Sequence, residues 1–303
     1  MYVTQPTQSV QLFKPVETVA IITDSIAQVP PELANRLKIR VMPCSMTFEE
    51  NVYEDLADVD LNDLYQRMRF EKDLRLVTSA PSVGKFYETF KECWDSGAES
   101  LLYVGLSSRL SSTFSCAQQA ARMLCEELGP RPIFLYDSRM ATAAQGFLVI
   151  EAVHLAQNGS PPQEIIERLN KERRRTGFVA GLETLEYLAR GGRIGKAAYM
   201  LGNAIQILPV LSLDDKGEVV PVSRKRGYNQ MMEEIIRYTK AKVGKYHHLS
   251  LAVMHANARK TAEKLQEMAI SEFQPDEIYI TDFTPTMVAH TGPGLIGLAY
   301  HWS

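Results

Sequence analysis

The sequence predicts an α/β protein of two domains, and three observations lead to that prediction. The chain has 303 residues, about twice the length of an average domain. Hydrophobic residues make up 45% of it and charged residues 23%, a balance typical of globular proteins that excludes a disordered, collagen-like or coiled-coil chain. In the first half, near-continuous apolar strands alternate with helices, which indicates a mainly parallel sheet with helices on both faces.

The predicted N-terminal α/β domain covers residues 17–158. Its first strand is the apolar, β-branched run 18–22, and Pro30 and Pro31 then open a helix because proline suits a first helical turn. The helix after the last strand is predicted to end at a stop signal, Asn158-Gly159. Further strands are predicted at residues 40–48, 101–106 and 133–136.

The predicted C-terminal α/β domain covers residues 159–303. It starts with a strand at residues 178–182, two short helices split by Gly191 and Gly192, and a hairpin about the turn 214–217. This order predicts a mixed sheet with helices. The remaining elements are a helix at residues 227–242, a strand at 249–254, a helix at 258–272 and a strand at 277–281.

Charge and hydropathy exclude several classes of protein. With 33 Lys and Arg against 36 Asp and Glu, the net charge is -3, so the chain lacks the broad basic field of a nucleic-acid binder. No apolar run reaches the roughly 18 residues of a transmembrane helix. Residues 1–16 lack the charged start and apolar core of a secretory signal, and we expect a flexible extension there.

Metal, redox and cofactor sites are not expected. No two cysteines have Cys-x-x-Cys spacing, so we expect reduced thiols and a cytoplasmic protein. No G-x-S-x-G motif is present, and residues 191–196 are too short for a P-loop. Residues 292–297 match the dinucleotide pattern G-x-G-x-x-G, but the helix and strand that give this pattern its mechanism do not follow.

Two hydroxyl-rich segments remain, residues 78–82 and 107–113. Each precedes a helix with an apolar face, so its hydroxyls lie where backbone N–H groups are unpaired and the helix dipole is positive. Capping is one interpretation, since Ser and Thr are preferred N-cap residues. An anion site is the other, because five Ser and Thr in 107–113 exceed what one cap needs. Both segments are expected at the carboxyl edge of one sheet, and these residues alone leave both interpretations open.

An ordered set of short motifs resembles the DegV family, which includes the fatty-acid-binding subunits of bacterial fatty acid kinase. Each motif is weak alone, but together they cover about residues 18–300. In this sequence the motifs are Ile22-Thr23-Asp24-Ser25, Thr78-Ser79-Ala80-Pro81-Ser82, the run Leu106 to Phe114, Asp137-Ser138, Gly191-Gly192-Arg193-Ile194 and His290-Thr291-Gly292-Pro293-Gly294.

The resemblance implies two α/β domains and a long-chain fatty acid in a buried tunnel. It implies that Thr78 and Ser111 hydrogen-bond the lipid carboxylate, and that a separate fatty acid kinase subunit makes the acyl-phosphate. No catalytic residue, metal or cofactor is then expected in this chain. Further residues expected near the head group are Ser79, Ser112, Thr113 and His290. The sequence departs from the family pattern at Ala80, Ser112 and Gly195.

An enzyme is the alternative hypothesis: a small-molecule hydrolase or transferase using Ser111 or Ser79, with His290 as base.

The Gly- and Pro-rich run 290–294 is expected to form a loop beside the head group. Arg193 follows a helix stop, which predicts an exposed corner. Together with the basic residues 224–226, it is expected to steer an acidic partner such as the kinase.

Overall fold

The computed structural model describes residues 18–57, 61–71, 74–201 and 207–303. The expected extension at residues 1–16 lies outside this part of the chain. The strands of the described residues are β1 (Val19–Asp24), β2 (Arg40–Met42), β3 (Ser45–Phe48), β4 (Asn51–Glu54), β5 (Leu76–Ser79), β6 (Ser100–Gly105), β7 (Ile133–Asp137), β8 (Thr176–Gly181), β9 (Ile207–Leu213), β10 (Val219–Arg226), β11 (Leu249–His255), β12 (Glu277–Asp282) and β13 (Ile296–Trp302). The α-helices are α1 (Pro31–Arg36), α2 (Asn62–Phe70), α3 (Val83–Asp95), α4 (Thr113–Leu128), α5 (Thr142–Gln157), α6 (Pro162–Glu172), α7 (Glu186–Arg190), α8 (Gly227–Lys242), α9 (Arg259–Phe273) and α10 (Pro285–Thr291).

The first sheet is parallel, with the strand order β2-β1-β6-β7. Its central strand β6 is buried along its whole length, and successive side chains point to opposite faces. Leu101 and Tyr103 pack in one cluster with α3 and α4. Leu102 and Val104 pack in another cluster, which includes α5. This confirms the predicted parallel sheet with helices on both faces.

A small antiparallel sheet has the order β4-β3-β5. The single strand predicted over residues 40–48 is wrong, because β2 pairs with β1 while β3 pairs with β4 and β5. Pro43 lies between the two strands and has no N–H to donate to a sheet. The chain therefore leaves the parallel sheet at Pro43 and enters the small sheet two residues later.

The third sheet is mixed and has the order β10-β9-β8-β13-β11-β12. The predicted hairpin, strands and helices of the second half are all present, the second short helix being a 3-10 helix, Gly195–Met200. Strand β13 is not predicted from the sequence; it lies between β8 and β11 and is antiparallel to both. Side chains of α8 and α9 cover one face of this sheet in a separate apolar cluster.

Helix α5 lies between the parallel and the mixed sheets. It contacts β1 and β6 on one side and β8 and β13 on the other. Because it is enclosed on both sides, its sequence is apolar around most of its circumference rather than along one stripe. One hydrophobic core therefore runs from the parallel sheet through α5 to the mixed sheet. The boundary expected between residues 158 and 159 falls just after this helix and stays a prediction.

The cysteines and helices bear on the expected environment of the protein. All four cysteines are free thiols, namely Cys44, Cys93, Cys116 and Cys125. Within the described ranges of the chain, every helix is too short or too polar to cross a bilayer.

Candidate functional site

A cavity lies at the carboxyl edge of the parallel sheet, enclosed by the small sheet, the mixed sheet, α7 and α10. It holds about 1030 Å³ of space free of protein atoms, including the part open to solvent. Apolar side chains form most of its wall; examples are Ile26, Leu106, Phe178, Leu182, Leu211 and Met287. A mostly apolar wall with a few polar groups is typical of a small-molecule site.

The position of the cavity follows from the topology of the parallel sheet. Strands β1 and β6 are neighbours, and the chain leaves them toward opposite sides, to β2 and to β7. Open parallel sheets bind ligands where two neighbouring strands connect to opposite sides of the sheet, because the loops after these strands diverge and leave a crevice. Ile26, which follows β1, and Leu106, which follows β6, both line the cavity.

Asp24 holds the two diverging loops together. Its buried carboxylate accepts hydrogen bonds from the Tyr103 hydroxyl at 2.7 Å, the Leu106 N–H at 2.9 Å and the Ile26 N–H at 3.2 Å. Burial raises the pKa of this carboxyl, and these hydrogen bonds oppose the rise. Asp24 belongs to one of the motifs of the sequence, but no role is predicted for it there. We assign it the role of fixing the loops on which the site is built.

Thr78 contacts His290 inside the cavity. Thr78 Oγ1 and His290 Nε2 are 2.8 Å apart, although the residues are 212 positions apart in sequence. The contact forms because α10 packs on β3 and β5.

His290 lies in the last turn of α10, so the expected loop over residues 290–294 is wrong at its start. Pro285 opens this helix and Gly292, with φ of +75°, ends it, so only the residues after Thr291 are a loop.

The imidazole of His290 is neutral at pH 7. Burial, and to a smaller extent the nearby positive charge of Arg193, together lower its pKa to about 4. Its Nδ1 is buried and has no hydrogen-bond partner among the described residues. A Cβ atom on Gly191 would stand 2.4 Å from Nδ1, so His290 occupies this position only because residue 191 is glycine.

Ser111 is held by a neighbour in sequence. Its Oγ lies 2.8 Å from Thr113 Oγ1 and accepts a hydrogen bond from the Thr113 N–H at 3.2 Å. Thr113 is fully buried and lies behind Ser111 rather than in the cavity wall. Ser112 is exposed, lines the cavity and precedes α4 without a side-chain cap. Ser111 thus lines the cavity, and Thr113 fixes the orientation of its hydroxyl.

The two hydroxyl segments come from different sheets, which corrects the expectation of one shared edge. Thr78 and Ser79 end β5 of the antiparallel sheet, while Ser111 follows β6 of the parallel sheet. Both segments nevertheless line the same cavity. Ser82 caps α3, because its Oγ accepts a hydrogen bond from the Lys85 N–H at 3.1 Å. Ser82 is therefore the capping residue of α3, and neither Thr78 nor the exposed Ser79 is needed for that role.

Arg193 lines the cavity, and its expected exposed position is wrong. The side chain is half-buried and donates its Nε–H to the Leu110 carbonyl oxygen at 3.0 Å. It also donates to the Gly191 carbonyl oxygen. The sequence analysis predicts exposure because Gly191 and Gly192 stop a helix, but the chain turns back here toward the loop that carries Ser111. A positive charge therefore lies beside the hydroxyls.

The sequence model of the DegV family matches residues 18–302. This chain belongs to the DegV family. A DegV domain-containing protein of Halalkalibacterium halodurans is 32% identical over 285 residues, which are 93% of this chain and 98% of that protein. Protein DegV of Bacillus subtilis is 28% identical over 283 residues, which are 93% of this chain and 98% of that protein.

Two solved DegV structures share the fold. A DegV family protein from Thermus thermophilus, described as binding fatty acid, is 27% identical, with a TM-score of 0.87, over 94% of this chain and 100% of its own. DegV from Bacillus subtilis, described as a fatty acid binding protein, is 26% identical, with a TM-score of 0.81, over 95% of this chain and 100% of its own.

One departure from the DegV pattern has a simple structural account. The departure is Ser112, whose backbone has φ of -78°, a right-handed conformation that any residue adopts. Serine therefore fits without backbone strain. Ala80, another departure from that pattern, lines the cavity.

Proposed function

We propose that this DegV protein binds a long-chain fatty acid in the cavity, with its carboxylate held by Thr78 and Ser111. The observation that carries the proposal is the pair of hydroxyls beside Arg193 in a cavity whose wall is mostly apolar. An amphiphile with one anionic end matches this distribution of groups. The fatty acid binding described for two solved DegV relatives supports the same ligand.

The apolar wall would supply most of the binding free energy. Each buried methylene contributes about 0.8 kcal/mol, so about 14 methylenes contribute roughly 11 kcal/mol before entropy costs. A carboxylate can enter such a cavity only if hydrogen-bond donors surround it. Thr78, Ser111 and the positive charge of Arg193 meet that requirement, and Ser79 and Ser112 lie in the same wall.

The role of His290 is to direct the proton of Thr78. The neutral imidazole carries one proton, and with that proton on Nε2 it donates to Thr78 Oγ1. The Thr78 hydroxyl then keeps its own proton for the carboxylate. His290 acts through Thr78 in this arrangement and is a positioning residue.

The geometry does not favour the alternative of a hydrolase or transferase. A serine nucleophile needs the base within hydrogen-bond reach. His290 Nε2 contacts Thr78, and the Ser111 hydroxyl contacts Thr113. We therefore propose no catalytic residue in this chain.

Binding can be tested with two variants and a matched control. Organic extracts of the purified protein should contain a fatty acid by mass spectrometry. Thr78→Val and Ser111→Ala should each weaken fatty acid binding about tenfold or more, because each removes a hydrogen bond to a charged group. Thr291→Val is the control, since Thr291 lines the cavity but donates its hydroxyl to the Met287 carbonyl oxygen. If both variants bind like the parent, the carboxylate lies elsewhere.

We further propose that a separate fatty acid kinase subunit phosphorylates the bound lipid. The resemblance to fatty-acid-binding kinase subunits supports this partner, and exposed cations offer it a surface. Arg224 and Arg226 are exposed on β10, whose first residue, Val219, lines the cavity. Lys225 instead pairs with the buried Glu234 at 3.0 Å and is left out of the surface.

The partner surface is tested by charge reversal. Arg224→Glu and Arg226→Glu should leave fatty acid binding intact and reduce kinase-dependent acyl-phosphate formation, because they reverse the steering charge. Arg36→Glu, at an exposed position in α1, is the matched control. Full phosphorylation of both variants would contradict this surface, and loss of lipid binding would show that the residues act on the cavity instead.

A further inference from the structure

The long helix α5 begins at the cavity wall without a side-chain cap. Ala141, its N-cap residue, and Thr142, its first residue, both line the cavity. The first N–H groups of a helix have no acceptor within the helix, and the helix dipole is positive at that end. Ala143 and Ala144, which follow, are fully buried. The start of α5 therefore presents hydrogen-bond donors in a buried place.

The hydroxyl of Thr142 is a second, independent sign of a ligand here. Thr142 is 3% exposed, and its Oγ1 has no hydrogen-bond partner in the described ranges of the chain. Buried hydroxyls almost always have a partner. Thr291 in the same cavity follows this rule, because its hydroxyl donates to a helix carbonyl oxygen. Thr142 is thus an unpaired polar group in an apolar wall.

The backbone of Thr142 is held in an unfavourable conformation. Its φ is +62°, in the left-handed region. A β-branched residue rarely adopts this conformation, and residues forced into it cluster at functional sites. The surrounding fold keeps Thr142 in place against this cost.

We propose that Thr142 and the start of α5 form a second polar subsite, which binds an oxygen atom on the acyl chain of the ligand. The inference rests on the proposed fatty acid binding and extends it to a substrate class: fatty acids with a hydroxyl or oxo group along the chain. The subsite offers donors, the Thr142 O–H and the first N–H groups of α5, so its partner is a hydrogen-bond acceptor. Hydroxyl and oxo oxygens both accept.

A second carboxylate fits this place poorly. Gln145, in the first turn of α5, donates from Nε2 to both carboxyl oxygens of Asp24 at 3.2 Å. A carboxylate at the start of α5 would therefore lie near another carboxyl group, and like charges repel. Arg193 contacts the loop before Ser111 instead. The fatty acid carboxylate belongs with that cation, and an uncharged chain oxygen belongs beside Thr142.

The test compares octadecanoic acid with monohydroxy and mono-oxo octadecanoic acids that differ in the position of the oxygen. Affinities are measured for the full chain, stripped of lipid, and for three variants. At least one positional isomer should bind on the order of three- to tenfold tighter than octadecanoic acid, because one neutral hydrogen bond forms. Thr142→Val should abolish that advantage, and Thr142→Ser should keep it. Thr291→Val, the matched control, should also keep it.

The outcomes separate this inference from the proposed function. If no oxygenated isomer binds tighter than octadecanoic acid, or if Thr142→Val keeps the advantage, the subsite is refuted while fatty acid binding stands. If Thr142→Val weakens octadecanoic acid itself about tenfold, Thr142 contacts the carboxylate and the subsite is again refuted. If octadecanoic acid and every isomer fail to bind the parent protein, the proposed function fails as well.

Discussion

Thr78 and Ser111 line the same cavity, but their hydroxyls are held in opposite ways. Ser111 contacts Thr113, two residues along the chain. Thr78 contacts His290, 212 residues along the chain. One contact is made within the loop that opens α4. The other exists only when α10 has packed on the small sheet and on α7.

This difference determines what each hydroxyl depends on. The orientation of Ser111 is built into a short segment, since a Ser or Thr side chain readily bonds the backbone two residues on. The orientation of Thr78 depends on the packing of the second half of the chain. A change at α7 or α10 should therefore alter the Thr78 half of the site and leave the Ser111 half unchanged.

The largest expected effect is the pH dependence that His290 adds to stability. Its folded pKa of about 4 lies below the ordinary value of 6.5, so on acidification the unfolded chain takes up a proton before the folded protein does. The contribution of His290 to the free energy of unfolding is therefore complete above pH 6.5. It is lost as the pH falls to about 4, which lowers the free energy of unfolding by up to roughly 3 kcal/mol. The measurement is the free energy of unfolding of the parent and of His290→Gln across this range.

The quantity to follow is the difference in free energy of unfolding between the parent and His290→Gln as the pH changes. Burial raises the pKa values of Asp24 and Asp55, so the folded state protonates these groups first and gains stability as the pH falls. The contribution of these two carboxyl groups is the same in both proteins, so it cancels in the difference between their free energies of unfolding. Parallel stability curves for the parent and His290→Gln would contradict the low pKa of His290.

A smaller effect is expected from Gly191→Ala. The new Cβ would stand 2.4 Å from His290 Nδ1, so the imidazole must move away from its place beside Thr78. Overpacking of this kind lowers the free energy of unfolding by about 1–3 kcal/mol, and fatty acid binding should weaken severalfold. Gly84→Ala in α3 is the matched control, because its nearest atom would be Ser82 Oγ at 3.9 Å. Calorimetry and lipid titration of both variants measure the two effects, and equal behaviour would contradict the contact.

The smallest effect is expected from Thr113→Val. This change removes the hydroxyl that orients Ser111, a neutral hydrogen bond of about 1 kcal/mol, so fatty acid binding should weaken about fivefold. Thr113→Ser keeps the hydroxyl and should bind lipid like the parent. Fluorescence titration with a labelled fatty acid resolves such a difference. If Thr113→Val and Thr113→Ser bind lipid equally, the orientation of Ser111 does not depend on residue 113.

The elements that the sequence predicts are those with a strong local pattern. The strands β1, β6 and β7 are apolar runs bounded by clear turn signals, and their alternation with helices predicts a parallel sheet. The short strands β4 and β5 lie at the edges of the small sheet and alternate between exposed and half-buried residues, so no apolar run marks them. Strand β13 follows a Gly- and Pro-rich run, which hides its start.

The candidate site shows the same division. Ser111 and Thr78 are visible in the sequence because hydroxyls are concentrated before two helices, and the family resemblance singles them out. The pairing of Thr78 with His290 is not visible, since nothing local joins residues so far apart. The place of Arg193 in the cavity wall is also hidden, because a cation after a helix stop is usually exposed.

The most direct test of the account is a crystal structure of the protein loaded with octadecanoic acid. The account predicts a carboxylate whose oxygens lie about 2.5–3.0 Å from Thr78 Oγ1 and Ser111 Oγ, with the acyl chain along the apolar wall. A carboxylate beside Thr142 at the start of α5, or a lipid bound outside the cavity, would contradict it.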